Sequence, residues 1–149
     1  MSTGTTLVAF KTALVDALTA RPGLAGVQVS YGFPEMEIQD ESIWLQDAQA
    51  STGFPVMKSG TKKVEEQYSI TVACQVLRSE GESQLVADVR AAELLVEVQQ
   101  TLAETPQLIP DIMWAELDGW RHHVGLLPKG EGHGSRFDVQ VQVRARLYP

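Results

Sequence analysis

From Arg136 to Tyr148 the chain alternates between apolar and polar residues almost without a break. Phe137, Val139, Val141, Val143, Ala145 and Leu147 form one set, and Arg136, Asp138, Gln140, Gln142, Arg144 and Arg146 form the other. Successive strand side chains point to opposite faces of a sheet. The pattern therefore predicts a strand that is buried on one face and wet on the other. Such strands belong to antiparallel or mixed sheets, because fully covered parallel strands read as continuous apolar runs. A strand of this length reaches about 36 Å, beyond the usual length. As a sheet edge it would invite aggregation unless a neighbouring subunit covered it.

A second long alternation runs from Lys62 to Arg78, with Tyr68, Ile70, Val72, Cys74 and Val76 on one side and Gln67, Ser69, Thr71 and Gln75 on the other. Shorter strands are predicted at Val27–Tyr31 and at Ser42–Gln46, where Ile43 and Leu45 share a face and Trp44 takes the other. Ile112–Leu117 and Trp120–Leu126 are read as two strands of a hairpin turning at Asp118-Gly119. The stretches Asp47–Gly60 and Pro128–Ser135 hold glycines and prolines and are expected to be mobile loops open to partner contacts.

Two helices complete the reading. The first spans about Thr6–Ala20, with Leu7, Phe10, Leu14 and Leu18 at helical spacing, threonines as N-caps and a stop at Arg21-Pro22-Gly23. The second is expected to start at a capping box, Ser79 with Glu82, and to run to about Ala103. Its apolar row is Leu85, Val89, Ala92, Val96 and Gln99, widened by Leu95, Val98 and Leu102. Two amphipathic helices on a mostly antiparallel or mixed sheet make an α+β layered domain, and residues 1–149 read as one domain.

Composition narrows the function. With 149 residues, 44% hydrophobic and 21% charged, the chain has the make-up of a globular domain. No apolar run approaches the ~20 residues of a membrane span, so no membrane role is expected. Lys11 and Asp16 interrupt the first apolar stretch, which does not read as a secretory signal. A net charge of −7, with no basic run longer than Lys62-Lys63, argues against sequence-specific nucleic-acid binding. The single Cys74 excludes an internal disulfide and fits assembly in a reducing cytoplasm.

No motif carries chemistry convincingly. His122 and His123 are adjacent on a strand and must diverge, so with His133 they make a poor metal set. Gly130-Glu131-Gly132-His133-Gly134-Ser135 is glycine-rich, but it opens into a strand, whereas a phosphate loop opens into a helix. Glu35, Glu37, Asp40 and Glu41 lack the spacing of a calcium loop and read as a solvated connection. Cys74 sits in an apolar row and reads as core. Neither a catalytic residue nor a cofactor or metal is expected.

The order of elements resembles the tail terminator proteins of long-tailed (siphovirus-type) phages of actinobacteria. The residues carrying the resemblance run the length of the chain. They are the helix Leu7–Leu18, the strand Gly26–Gly32 with its Phe33-Pro34 turn, the acidic connection into Ile43-Trp44-Leu45, the strand Glu65–Val76, the helix Val86–Leu102, Met113-Trp114, and the closing strand Phe137–Leu147. The resemblance implies a homo-hexameric ring that caps the tail tube, stops its polymerisation and joins the tail to the head. The subunits would be virion components, assembled in the host cytoplasm, and could stay monomeric until they meet a tube end. The implied partners are the major tail tube protein and the head–tail connector, with DNA passing through an acidic lumen. The candidate subunit or tube interface comprises Arg136, Asp138, Arg144 and Arg146 on the wet face of the last strand and Lys129, Glu131, Phe54 and Lys58 on the loops. Competing readings are a head–tail connector or head-completion protein, a small ligand-binding domain or enzyme without a visible active site, and a bacterial interaction module.

Overall fold

The computed structural model describes residues 4–35, 37–50, 64–79, 81–127 and 132–147. Helix α1 (Leu7–Thr19) leads through a 3-10 turn (Pro22–Leu24) into strands β1 (Gln28–Ser30), β2 (Glu41–Ala50) and β3 (Val64–Ser79). Helix α2 (Gln84–Glu104) follows, then β4 (Ile112–Leu126) and β5 (Gly132–Leu147). The five strands form one mixed sheet in the order β1-β2-β3-β5-β4. Only β1 and β2 pair in parallel; the other neighbours are antiparallel. The fold is α+β, as the alternation of the long strands requires.

Both helices lie on one side of the sheet. Phe10, Leu14 and Leu18 of α1 and Leu94 and Val98 of α2 share one core with Ile43, Ile70, Val72, Val139, Val141 and Val143 of the sheet. Burying a side chain of this size stabilises the fold by about 1.5–3 kcal/mol, and every one of these is fully enclosed. Arg21 ties the two helices together through Glu97 and Glu104, both at 2.9 Å. Glu41 on β2 receives Arg90 from α2 at 2.9 Å and Arg78 from β3, which fixes the helix layer to the sheet.

Several local expectations are corrected. The last strand is no edge: β5 is hydrogen-bonded on both sides, to β3 and to β4. The Asp118-Gly119 pair does not turn a hairpin. It forms a bulge within a single strand β4, between Leu117 and Trp120, and Gly119 takes φ 98° there. A bulge and a hairpin both use a glycine at positive φ, so the dipeptide alone does not separate them. Gly132–Ser135 belong to β5; His133, Gly134 and Ser135 pair on both sides and Gly132 pairs with Ser79, which shortens the expected loop at Pro128–Ser135. Helix α2 starts later than the capping box suggests. Ser79 ends β3, and the N-cap is Ser83, whose hydroxyl accepts from the backbone N–H of Val86.

The largest correction concerns the face of α2. Its buried row is Ala87, Ala91, Leu94, Val98 and Leu102. The row of Leu85, Val89 and Val96 points to solvent. The helix carries two apolar rows and only one can face the sheet. The small residues Ala87 and Ala91 let the helix sit close to β3 and β5, so their row wins.

Candidate assembly interface

The sheet face opposite the helices is where the sequence placed the interface. Among the described residues, no helix covers it. Arg136 makes a two-point contact with Asp138, at 2.9 and 3.0 Å. His123 approaches the same carboxylate at 3.2 Å. Arg144 donates to Glu65 on β3 at 2.9 Å, and Gln140 donates to Thr71 at 2.8 Å. Arg146 is exposed beside Asp111, whose carbonyl accepts from the Arg146 backbone N–H. These four candidate residues do share one face, but three of them are engaged within the chain. The face is a cross-linked polar surface, with each of these engaged cations offset by a nearby carboxylate. Lys129, Glu131, Phe54 and Lys58 lie outside the described residues.

Trp44 is buried on this same face. Phe33 lies edge-on to it at 5.4 Å, and the Arg136 guanidinium stands 5.9 Å from its ring. Its indole N–H has no hydrogen-bond partner among the described residues.

The adjacent histidines diverge as the strand geometry requires. His123 turns to Asp138 on the open face. His122 turns to the helix side, with its Nε2 2.8 Å from the Ser135 hydroxyl and 3.4 Å from Asp88 of α2. A serine, a histidine and an aspartate thus meet. In a nucleophile relay, however, the serine and the carboxylate engage opposite ring nitrogens. Here both lie at Nε2, and Ser135 is buried. The cluster acts as a clasp between α2 and the sheet, to which Gln84 adds a bond to the Gly134 carbonyl at 3.0 Å. Burial works to raise the Asp88 pKa. Hydrogen bonds from Gln84 and Ser135 and the nearby imidazole outweigh it and hold the carboxyl below its usual range.

Sequence reasoning missed the apolar surface. Trp120 is 60% exposed, Leu126 77% and Leu85 70%. Each such side chain left in water forgoes a large part of the ~1.5–3 kcal/mol that burial offers. Trp120 packs edge-on against Phe137 at 5.2 Å but keeps its outer side open. The signal was present in the two apolar rows of α2, since a single helix cannot bury both against one sheet.

No protein-family model matches the sequence, and no curated protein matches it. Comparison of folds gives a different result. The architecture is that of a known class of α+β chains, with 30 chains of solved structures matching. One of them belongs to the virion of a native gene transfer agent (GTA) particle. It superposes with a TM-score of 0.63 at 13% identity, covering 96% of this chain and 98% of that one. At that identity the likeness is one of fold.

Proposed function

We propose that this chain is a structural protein of a virion, and within the virion a tail terminator. The observation that carries the reading is the fold shared with a virion chain along almost the full length of both molecules. In this reading residues 1–149 act as one structural unit. Six copies close into a ring on the tail tube, end its growth and present a surface to the head connector. The protein's net charge of −7 suits a lumen through which DNA slides without adhering. The open polar face, with most of its charges already paired, suits contacts that form late and reversibly. The role needs no cofactor and no catalysis.

A parent phage deleted for this gene tests the reading. Terminator function predicts abnormally long tails that are not joined to heads, and joining restored by adding the purified protein. Tails of normal length that fail to join would assign the chain to the connector, and fully normal virions would remove it from both roles.

A further inference from the structure

The chain contains no asparagine, and Asp118 is the one aspartate followed by glycine. Asp16, Asp40, Asp47, Asp88, Asp111 and Asp138 are followed by residues that carry a Cβ. The carboxyl carbon of an aspartate and the backbone nitrogen of the next residue are separated by the span of a five-membered ring. Groups held this close react without the entropy cost of meeting. A side chain on the second residue crowds the ring closure, and glycine has none.

The fold sets this dipeptide where closure is least restrained. Leu117 pairs with Val141 and Trp120 with Val139, and neither Asp118 nor Gly119 has a partner in the β4–β5 register. A bulge leaves its extra residue unpaired and disrupts the ladder locally. No described strand lies on the outer side of the bulge, because β4 is an edge of the sheet. Asp118 and Gly119 are both exposed, and nothing lies within 4 Å of the position that a Cβ would take on Gly119. The Asp118 carboxyl has no hydrogen-bond or ion-pair partner among the described residues, whereas Arg136 holds Asp138 and Gln84 holds Asp88. Asp118 and Gly119 also line a cleft of about 590 Å³ on the open face, beside Thr71, Asp138 and Gln140. Water therefore has access to the carboxyl group and to the backbone around it.

We propose that Asp118 is a site of spontaneous backbone modification, isomerising through a succinimide in the folded protein. The Gly119 backbone nitrogen attacks the side-chain carboxyl carbon of Asp118. A carbon–nitrogen bond forms, and the proton of that nitrogen leaves with the carboxyl hydroxyl as one water. A second water then opens the ring. Opening at the side-chain carbonyl restores aspartate. Opening at the main-chain carbonyl gives isoaspartate, in which the chain runs on through the former side chain and the former main-chain carboxyl hangs free. No electrons are exchanged, and the final mass is that of the starting chain. Isoaspartate adds one backbone carbon where the ladder already carries an extra residue, so the pairs on either side keep their register. The proposal does not depend on the virion role.

Ageing the purified full chain at neutral pH and body temperature tests it. Fragmentation mass spectrometry of its proteolytic peptides should find two products at Asp118, one lighter by one water and one isomer of unchanged mass. An isoaspartate methyltransferase should place a labelled methyl group on the same peptide. The isomer should build up at Asp118 roughly tenfold or more faster than at Asp47 or Asp111. Asp118→Glu lengthens the ring by one atom at an exposed position; it should keep the melting temperature and lose both products. Absence of the isomer from the native chain would overturn the proposal. So would an isomer that forms only after unfolding in urea, or one that forms equally at the other aspartates. Methyl acceptance that persists in Asp118→Glu would overturn it as well.

Discussion

The carboxylate of Glu66 on β3 accepts both the backbone N–H and the hydroxyl of Thr6 at the head of α1, each at 2.8 Å. The two residues are 60 positions apart. In a capping box this bond to the N-cap N–H comes from a glutamate three residues into the same helix. Here the sheet supplies it. Thr6 also shares a hydrogen bond of 2.9 Å with the buried Tyr68 hydroxyl, so the start of α1 is fixed to β3 through side chains of that strand.

Replacing Glu66 with alanine should therefore cost about 1–2 kcal/mol. Thermal melting should show a loss of roughly 2–4 °C for each kcal/mol in a protein of this size. Glu66→Gln keeps an acceptor and should lose less. Equal losses in the two variants would mean that the carboxylate charge, and not the cap, is what matters.

A second prediction concerns acid. Burial works to raise the pKa of Glu41, but hydrogen bonds from Arg78 and Arg90 prevail and hold its carboxyl below the usual range. A lowered native pKa means that the stabilisation is complete above the ordinary carboxylate range, about 4.3. It is lost as pH falls through the native value. Wild type and Glu41→Gln should differ in urea midpoint at pH 7, with the variant less stable, and the gap should close as pH falls through the native value. A gap that is constant with pH would refute the ion-pair account.

Cys74 is fully enclosed, and burial, assisted by the nearby Asp138 charge, pushes its thiol pKa up to about 12. The thiolate is the reactive form. A thiol reagent at pH 8 should label the native protein slowly and the denatured protein at once. Fast native labelling would contradict the register that pairs Cys74 with Ile43 and Phe137.

Gly132 opens β5 with φ 143°, and a Cβ built there would lie 1.8 Å from the Arg78 carbonyl oxygen. Gly132→Ala should destabilise by about 2–3 kcal/mol. Gly125→Ala, on the exposed end of β4 with nothing near its Cβ position, should stay within about 0.5 kcal/mol of wild type. Equal effects in a chemical-denaturation series would show that the start of β5 relaxes around the added methyl.

Much of this architecture is legible in the order of residues. The rows Tyr68–Val76 and Phe137–Ala145 are buried as their alternation demands, and Phe10, Leu14 and Leu18 face the core. Period-two and helical patterns report which residues share a face, and that survives folding. They do not report which strand neighbours which, and so the central place of β5 was hidden. They also fail when a helix carries two apolar rows. The small Ala87 and Ala91 decide how closely α2 can approach the sheet, and the Leu85–Val96 row is left to solvent. The candidate interface was half legible. Arg136, Asp138 and Arg144 do line an open face, yet the pairing of Arg144 with Glu65 depends on the β3–β5 register.

The insertion of β5 between β3 and β4 also governs the order in which the molecule can be made. Residues Val64–Ser79 leave the ribosome long before Gly132–Leu147, to which they pair along their whole length. Until that last strand is synthesised, β3 offers an unsatisfied inner edge and β4 has no partner at all. The nascent chain must wait with its two helices and the β1–β2–β3 part of its sheet, and long-range pairing such as that of β3 with β5 is slow. The sheet is thereby completed only once translation has passed Leu147. Until then β4, which becomes an edge strand of the finished sheet, has no strand to pair with.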